Sequence, residues 1–181
     1  MDLFCFIEYI KHITFNELGL KKSKLSIVLL LIYVLFFVLK RDYTVKGIYN
    51  AFFYLFIVAL PEEIIYRGYL YSNLKKYNRT MAIIISGMLF GMIHSILPSV
   101  VSESSVFAMI MDMPNQLVGG IVGSLMFIYC WELSGSIWVS VLIHALLDYS
   151  YQLWGIGIAV IVLGFLLISN QNSKKNANIN S

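Results

Sequence analysis

Charge is scarce in this sequence. Only 13% of its 181 residues are charged, 59% are hydrophobic, and the mean hydropathy is +0.78. A soluble domain has about 25% charged and about 45–50% apolar residues. The composition therefore excludes a chain that folds behind a polar surface in water. It predicts an integral membrane protein, with membrane lipid as its surroundings.

Cysteine is also rare. Cys5 and Cys130 have no metal-ligand spacing, which excludes a disulfide framework and a thiolate metal site. The formal net charge of +3 comes from short basic clusters beside apolar runs, so no nucleic-acid partner is predicted. A cleavable signal peptide is not predicted either, because the first apolar run begins near Leu25 and ends at Lys40 without a small-residue cleavage site.

Apolar runs are what the sequence has most of. A membrane helix needs about 20 apolar residues, and fewer where flanking lysines reach the interface. The predicted fold is all-α, a polytopic membrane bundle of about six transmembrane helices. The six runs are residues 25–39, 47–71, 80–97, 113–131, 136–149 and 153–168.

The segments around these runs are more polar. Residues 1–24 mix apolar and charged side chains and are predicted to form an N-terminal interfacial segment. Residues 25–169 form the predicted membrane domain, in which the serine-rich stretch 98–112 is expected to be a loop. Residues 170–181 are rich in Asn, Ser and Lys and are predicted to be a disordered tail.

The distribution of lysine and arginine predicts the orientation. With the N-terminus inside, nine basic residues outside the spans lie on the cytoplasmic side and three lie outside. The three outer ones are Lys40, Arg41 and Lys46. The positive-inside rule therefore predicts that both termini are cytoplasmic, in a protein of the cell membrane.

Ionisable residues inside the runs are the candidate functional residues, because a charge at the bilayer centre costs roughly 2.5–3.5 kcal/mol on insertion scales. Glu63 and Arg67, four residues apart, share a helical face and can form an ion pair, which by itself has a purely structural explanation. Glu62 points about 100° away from Glu63 and has no such cation. It is the better candidate for a group that takes up and releases a proton.

Two histidines complete the set. His94 follows Phe90 by one helical turn, and His144 precedes Asp148 by one turn. Each histidine alone could be a structural hydrogen-bonding residue. Together with Glu62 they can activate water, either around Zn²⁺ or another divalent metal or without metal, by general-base action of Glu62. The metal ligands would come from His94, His144, Asp148 and Glu62.

The three motifs in this order resemble the CPBP intramembrane protease family, which includes the type II CAAX prenyl endopeptidases and bacteriocin-immunity proteins. That family has Glu-Glu-x-x-x-Arg, Phe-x-x-x-His and His-x-x-x-Asn/Asp motifs on separate membrane helices. Here they are Glu62-Glu63 with Arg67, Phe90 with His94, and His144 with Asp148. The resemblance implies a peptidase-like core at about residues 52–151.

The resemblance also implies roles. Glu62 and His94 would activate the attacking water, while His144 and Asp148 would stabilise the oxyanion or hold a metal. The supporting residues would be Glu63, Arg67 and Phe90. The third motif most often ends in Asn; an ionised Asp148 cannot donate a hydrogen bond to an oxyanion, which favours a protonated Asp148 or a metal ligand.

Three functions follow as alternatives. The first is an intramembrane endopeptidase acting on a peptide or protein substrate, lipidated or hydrophobic. The second is bacteriocin self-immunity or membrane protection, with or without proteolysis. The third is a proton-coupled transporter, since buried Glu, His and Asp also form proton relays. For the site itself, we expect a polar cavity that opens toward the cytoplasmic half, because Glu62 lies about 15 residues, or ~22 Å, below the outer end of its run.

Overall fold

The computed structural model describes residues 19–102, 105–150 and 152–179. Most of the predicted interfacial segment, residues 1–18, lies outside this part of the chain. The described residues form six helices and no strand, which confirms the all-α prediction. The helices are α1 (Lys24–Lys40), α2 (Val45–Leu74), α3 (Arg79–Val101), α4 (Val106–Ser134), α5 (Ile137–Tyr149) and α6 (Gln152–Ile179).

Helix length and burial separate two kinds of helix. Four helices are long and apolar enough to cross a bilayer: α2, α3, α4 and the Leu153–Ala177 part of α6. They expose large apolar side chains on their outer faces, such as Val122 and Ile161, as a surface solvated by lipid does. Helix α5 has only 13 residues, and ten of them are buried. It is the central helix, against which α1, α2, α4 and α6 pack.

Local sequence explains where the helices begin. Ser23, Thr44, Asn78 and Ser105 stand at the N-caps of α1 to α4, and each side chain accepts a hydrogen bond from a backbone N–H of the first turn. Gly135 ends α4 in the left-handed conformation, with φ +68°. These caps allow tight turns between neighbouring helices.

Two boundaries differ from the expectation. The predicted loop 98–112 is helical at residues 98–101 and 106–112, because its apolar residues continue α3 and α4 and its Ser105 caps a helix instead of extending a loop. The tail predicted to be disordered is helical at residues 170–179, because α6 continues through Ile179. Asn, Gln, Ser and Lys have only moderately lower helix propensity than Ala, so they do not stop a helix that an apolar span has already started.

Helix α2 is irregular where it carries the first motif. Its segments Phe53–Ala59 and Ile64–Tyr71 are π-helical, and a single α-helical turn, Leu60–Glu63, lies between them. Pro61 is the second residue of that turn and has no N–H to donate to the preceding turn. Wider π-helical turns are common at functional sites because they change the direction in which side chains point.

A close contact between α3 and α4 fixes the depth of the second motif. A Cβ atom on Gly120 would lie 2.7 Å from the backbone nitrogen of Gly91, and one on Gly87 would lie 2.6 Å from the Cα of Ile121. Gly119 has open space instead, with no atom of the described residues within 4 Å of its Cβ position. Glycines that face each other let two membrane helices touch along their backbones.

Glu132 connects three helices at the end of the bundle opposite the α1–α2 turn. It accepts hydrogen bonds from Tyr71 of α2 at 2.7 Å, from Lys75 at 3.2 Å and from Arg79 of α3 at 2.9 Å. Glu132 is on α4, so the carboxylate holds the α2–α3 turn against the end of that helix. Its two cationic partners are partly exposed, whereas Tyr71 is buried, and all three lie outside the site described below.

Candidate active site

The four predicted catalytic residues come together from three helices. The Glu62 Oε2 atom of α2 lies 3.9 Å from Nε2 of His94 on α3 and 3.7 Å from Nε2 of His144 on α5. The Asp148 Oδ2 atom lies 3.5 Å from Nε2 of His144. Residues from three separate apolar runs therefore surround one small volume, while their catalytic roles stay predictions.

The position of His94 follows from its own helix. Its Nδ1–H donates a hydrogen bond to the carbonyl of Phe90, one turn earlier, at 2.9 Å. This bond fixes the tautomer, so Nε2 of the neutral ring is an acceptor that faces Glu62. The Phe90 ring lies against the imidazole with a centroid separation of 4.2 Å. The Phe-x-x-x-His spacing thus holds the ring by a backbone acceptor and an aromatic neighbour.

His144 is held by Glu63, which the sequence analysis predicted only as the ion-pair partner of Arg67. Its Nδ1–H donates to Glu63 Oε1 at 3.0 Å, and Nη1 of Arg67 lies 3.4 Å from the same oxygen. The predicted i, i+4 pair of Glu63 and Arg67 is therefore present, and Glu63 also orients the histidine. A carboxylate bound to one ring nitrogen fixes the other nitrogen toward the cluster.

Arg67 is enclosed by aromatic rings. Its guanidinium carbon lies 4.5 Å from the ring centroid of Phe90 and 4.9 Å from that of Phe127. The three guanidinium nitrogens make no hydrogen bond to another described residue. Cation–π attraction on two sides, together with Glu63, compensates part of the charge's desolvation. Sequence reasoning missed Phe127, since nothing distinguishes it from other aromatic residues of an apolar helix.

Exposure divides the cluster into two layers. The open layer consists of Glu62, His94 and Asp148, whose side chains are 26%, 38% and 33% exposed. The buried layer consists of Glu63 and Arg67, both 0% exposed. His144, at 5%, joins the layers, because Nδ1 contacts the buried one and Nε2 faces the open one. The open layer and Nε2 of His144 are therefore placed to meet a substrate.

A polar cavity of about 230 Å³ reaches the open layer at Asp148. Its other lining residues are Lys40, Asp42, Gly47, Asn50, Tyr54, Tyr149 and Ser150. It therefore opens beside the α1–α2 turn, which the distribution of basic residues predicts to lie on the outer side. The expected opening toward the cytoplasmic half is not what the lining residues indicate. Helix α2 has 30 residues, more than a bilayer requires, so counting from its first residue overestimates the depth of Glu62.

The described residues do not form a ready metal site. No three His, Cys, Asp or Glu side chains among them are grouped as ligands of one metal ion. The predicted ligands do lie near one another, but their contacts are ion-pair distances of 3.5 to 3.9 Å within a mixed acidic and basic cluster.

Comparison with known families agrees with the motifs. The sequence model of the Rce1-like type II CAAX prenyl endopeptidases matches residues 44–150, more than half of the chain. The chain belongs to this family. The matched range includes every residue of both layers, and it confirms the resemblance to the CPBP proteases. No curated protein and no solved structure matches the chain. The protein is thus an integral membrane protein of a peptidase family, with a peptide or protein as its substrate.

Proposed function

We propose that this chain is an intramembrane endopeptidase in which Glu62 activates the attacking water. The observation that carries the proposal is the position of Glu62 Oε2 in the open layer, between the Nε2 atoms of His94 and His144 at 3.9 and 3.7 Å. These separations exceed a direct hydrogen bond, and a water molecule beside them would have a carboxylate and an imidazole as acceptors for its two protons.

The reaction follows as general-base hydrolysis. Glu62 takes one proton from the water, His94 orients it, and the water oxygen forms a bond to the carbonyl carbon of the substrate. The carbonyl oxygen becomes an oxyanion. When the carbon–nitrogen bond breaks, Glu62 returns the proton to the leaving amine, so the enzyme ends in its starting protonation state.

His144 is the proposed donor to the oxyanion. A protonated ring donates Nδ1–H to Glu63 and keeps Nε2–H for the substrate. Carboxylates of Glu63, Asp148 and Glu62 at 3.0, 3.5 and 3.7 Å stabilise the positive charge of that ring. This arrangement gives Asp148 a role as an ion partner of His144, where an amide at the same position would donate to the oxyanion itself.

A divalent metal is the alternative means of activating the water. It would be held by Glu62, His94, His144 and Asp148 and would act as a Lewis acid toward water. Metal analysis of the purified protein and cleavage before and after chelation separate the two mechanisms. Cleavage that survives chelation in a metal-free preparation supports the general-base mechanism, and cleavage restored only by Zn²⁺ or another divalent ion contradicts it.

The proposed substrate is a hydrophobic or lipid-modified peptide, because the family processes prenylated proteins and the site lies among membrane helices. The test is cleavage of lipidated peptides, matched unlipidated peptides and hydrophobic bacteriocins by purified protein in liposomes. For an immunity role, survival of bacteriocin-treated cells that express the wild type or Glu62→Gln shows whether protection needs proteolysis. Equal protection by both would separate immunity from the peptidase site.

A further inference from the structure

The polar cavity at Asp148 supports a conclusion about the substrate. We propose that it is the access route for water and the binding site for a hydrophilic peptide segment next to the scissile bond, entered from the α1–α2 end of the bundle. This inference rests on the proposed peptidase function. Beyond that function, the substrate has a polar segment next to the scissile bond, and this segment enters from the α1–α2 end.

The shape of the cavity supports an aqueous route. Its volume of about 230 Å³ leaves room for several water molecules. Asn50 and Tyr54, one turn apart on α2, line the cavity between the turn and Asp148. Amide and hydroxyl groups can hydrogen-bond water or a peptide backbone. By contrast, the cavity of about 280 Å³ between α1 and α2 is lined by apolar side chains and Tyr33 and includes none of the catalytic residues.

Asp148 links the cavity to the chemistry. It lines the cavity and lies 3.5 Å from Nε2 of His144. A carboxylate in hydrocarbon costs roughly 2.5–3.5 kcal/mol, and contact with water removes much of that cost. The cavity therefore explains how the chain tolerates an acidic residue at this position.

Helix ends show which side the route faces. Asp148 is one residue from the end of α5, and the Tyr149 carbonyl at that end accepts a hydrogen bond from Lys40 Nζ at the end of α1. Lys40, Asp42 and Gly47 also line the cavity, and they belong to the end of α1, the α1–α2 turn and the start of α2. The route therefore faces the α1–α2 end of the bundle.

Cysteine labelling tests the route without relying on cleavage. In a background with Cys5→Ser and Cys130→Ala, single cysteines replace Asn50 and Tyr54 of the cavity. Val45→Cys, 88% exposed, marks the α1–α2 end, and Tyr77→Cys, 90% exposed, marks the α2–α3 turn. Val122→Cys, 63% exposed on α4, is the lipid-facing control. A membrane-impermeant methanethiosulfonate is added to right-side-out or inverted vesicles.

We expect Asn50→Cys and Tyr54→Cys to react only from the side that labels Val45→Cys, while Tyr77→Cys reacts only from the other side. Asn50→Cys or Tyr54→Cys labelled from the Tyr77 side, or from neither side, would overturn the route. Labelling of Asn50→Cys and Tyr54→Cys that is no faster than that of the lipid-facing Val122→Cys would also overturn the route.

Cleavage then tests binding. In variants that retain cleavage, the adduct at Asn50→Cys should abolish cleavage and the Val122→Cys variant should keep it after the same treatment. Continued cleavage with a full adduct at position 50 would contradict a substrate site in the cavity. If no substrate is cleaved by the wild type, the peptidase proposal fails, whereas the labelling pattern still decides whether the route exists.

Discussion

Two adjacent glutamates of one helix have opposite surroundings. Glu62 is 26% exposed and has two imidazoles near one oxygen, whereas Glu63 is fully buried between Arg67 and His144. The difference arises from a rotation of about 100° between neighbouring residues of a helix. Two identical neighbouring residues of one motif can therefore have different roles. One faces the substrate, and the other positions a second side chain.

Glu62→Gln should give the largest effect on activity. The amide keeps the shape of the side chain but cannot accept a proton, so cleavage should fall by about 10²–10⁴-fold, as for a lost general base. Thermal stability in detergent should stay near that of the wild type, because the side chain has no ion partner in the buried layer. Full cleavage by this variant would remove Glu62 from the mechanism.

Glu63→Gln should act mainly on stability. It leaves the buried Arg67 cation without its carboxylate, and breaking a buried pair costs about 3–5 kcal/mol. Cleavage should fall less than in Glu62→Gln, since the amide oxygen still accepts from His144 Nδ1. The measurements are melting temperature and yield in detergent beside the cleavage rate of the folded fraction.

The double variant Glu63→Gln with Arg67→Met sharpens the contrast. It removes the stranded cation and should recover part of the stability. Cleavage should not recover, because His144 still lacks the negative charge that stabilises its protonated ring. Recovery of both properties together would mean that Glu63 serves only Arg67.

The adjacent glycines Gly119 and Gly120 of α4 also have different surroundings, and substitutions there should have a smaller effect on stability. Gly120→Ala places a methyl group 2.7 Å from the backbone of Gly91 and should cost about 1–3 kcal/mol, as overpacking does. Gly119→Ala is its matched control, with no described atom within 4 Å of the new methyl group. Melting temperatures in detergent measure both variants. Equal melting temperatures for the two would contradict the close helix contact.

The smallest effect is expected at Glu132, a carboxylate with cation partners outside the site. Lys75 and Arg79 are 42% and 45% exposed in their side chains, so each pair should contribute only about 0.2–1 kcal/mol. Glu132→Gln should lower the melting temperature slightly and leave cleavage unchanged. A loss of cleavage comparable to that of Glu62→Gln would show that the two layers are not the whole catalytic set.

The sequence was a good guide within each helix. The apolar runs predicted the six helices, and spacings of four residues predicted the Glu63–Arg67 pair and the approach of Phe90 to His94. The sequence was a poor guide to where the helices end and to how deep the site residues lie in the membrane. Helices α3 and α4 extend further into residues 98–112 than expected, and the cavity opens at the end of the bundle opposite the expected one. Serine and proline content does not distinguish a cap from a loop, and a residue count does not give the depth of a helix longer than the bilayer.

By itself, the sequence determined that the chain is a membrane protein of helices, and which ionisable residues share a helical face, because helical periodicity is a local property. Only the tertiary structure decided that Glu63 binds His144, 81 residues away, that Phe127 covers Arg67, and that the polar cavity reaches Asp148 from the α1–α2 turn. These features depend on how far each helix is rotated and shifted against its neighbours. Backbone contacts such as Gly91 with Gly120 and the π-helical segments of α2 set those rotations and shifts, and no periodic pattern in the sequence encodes them.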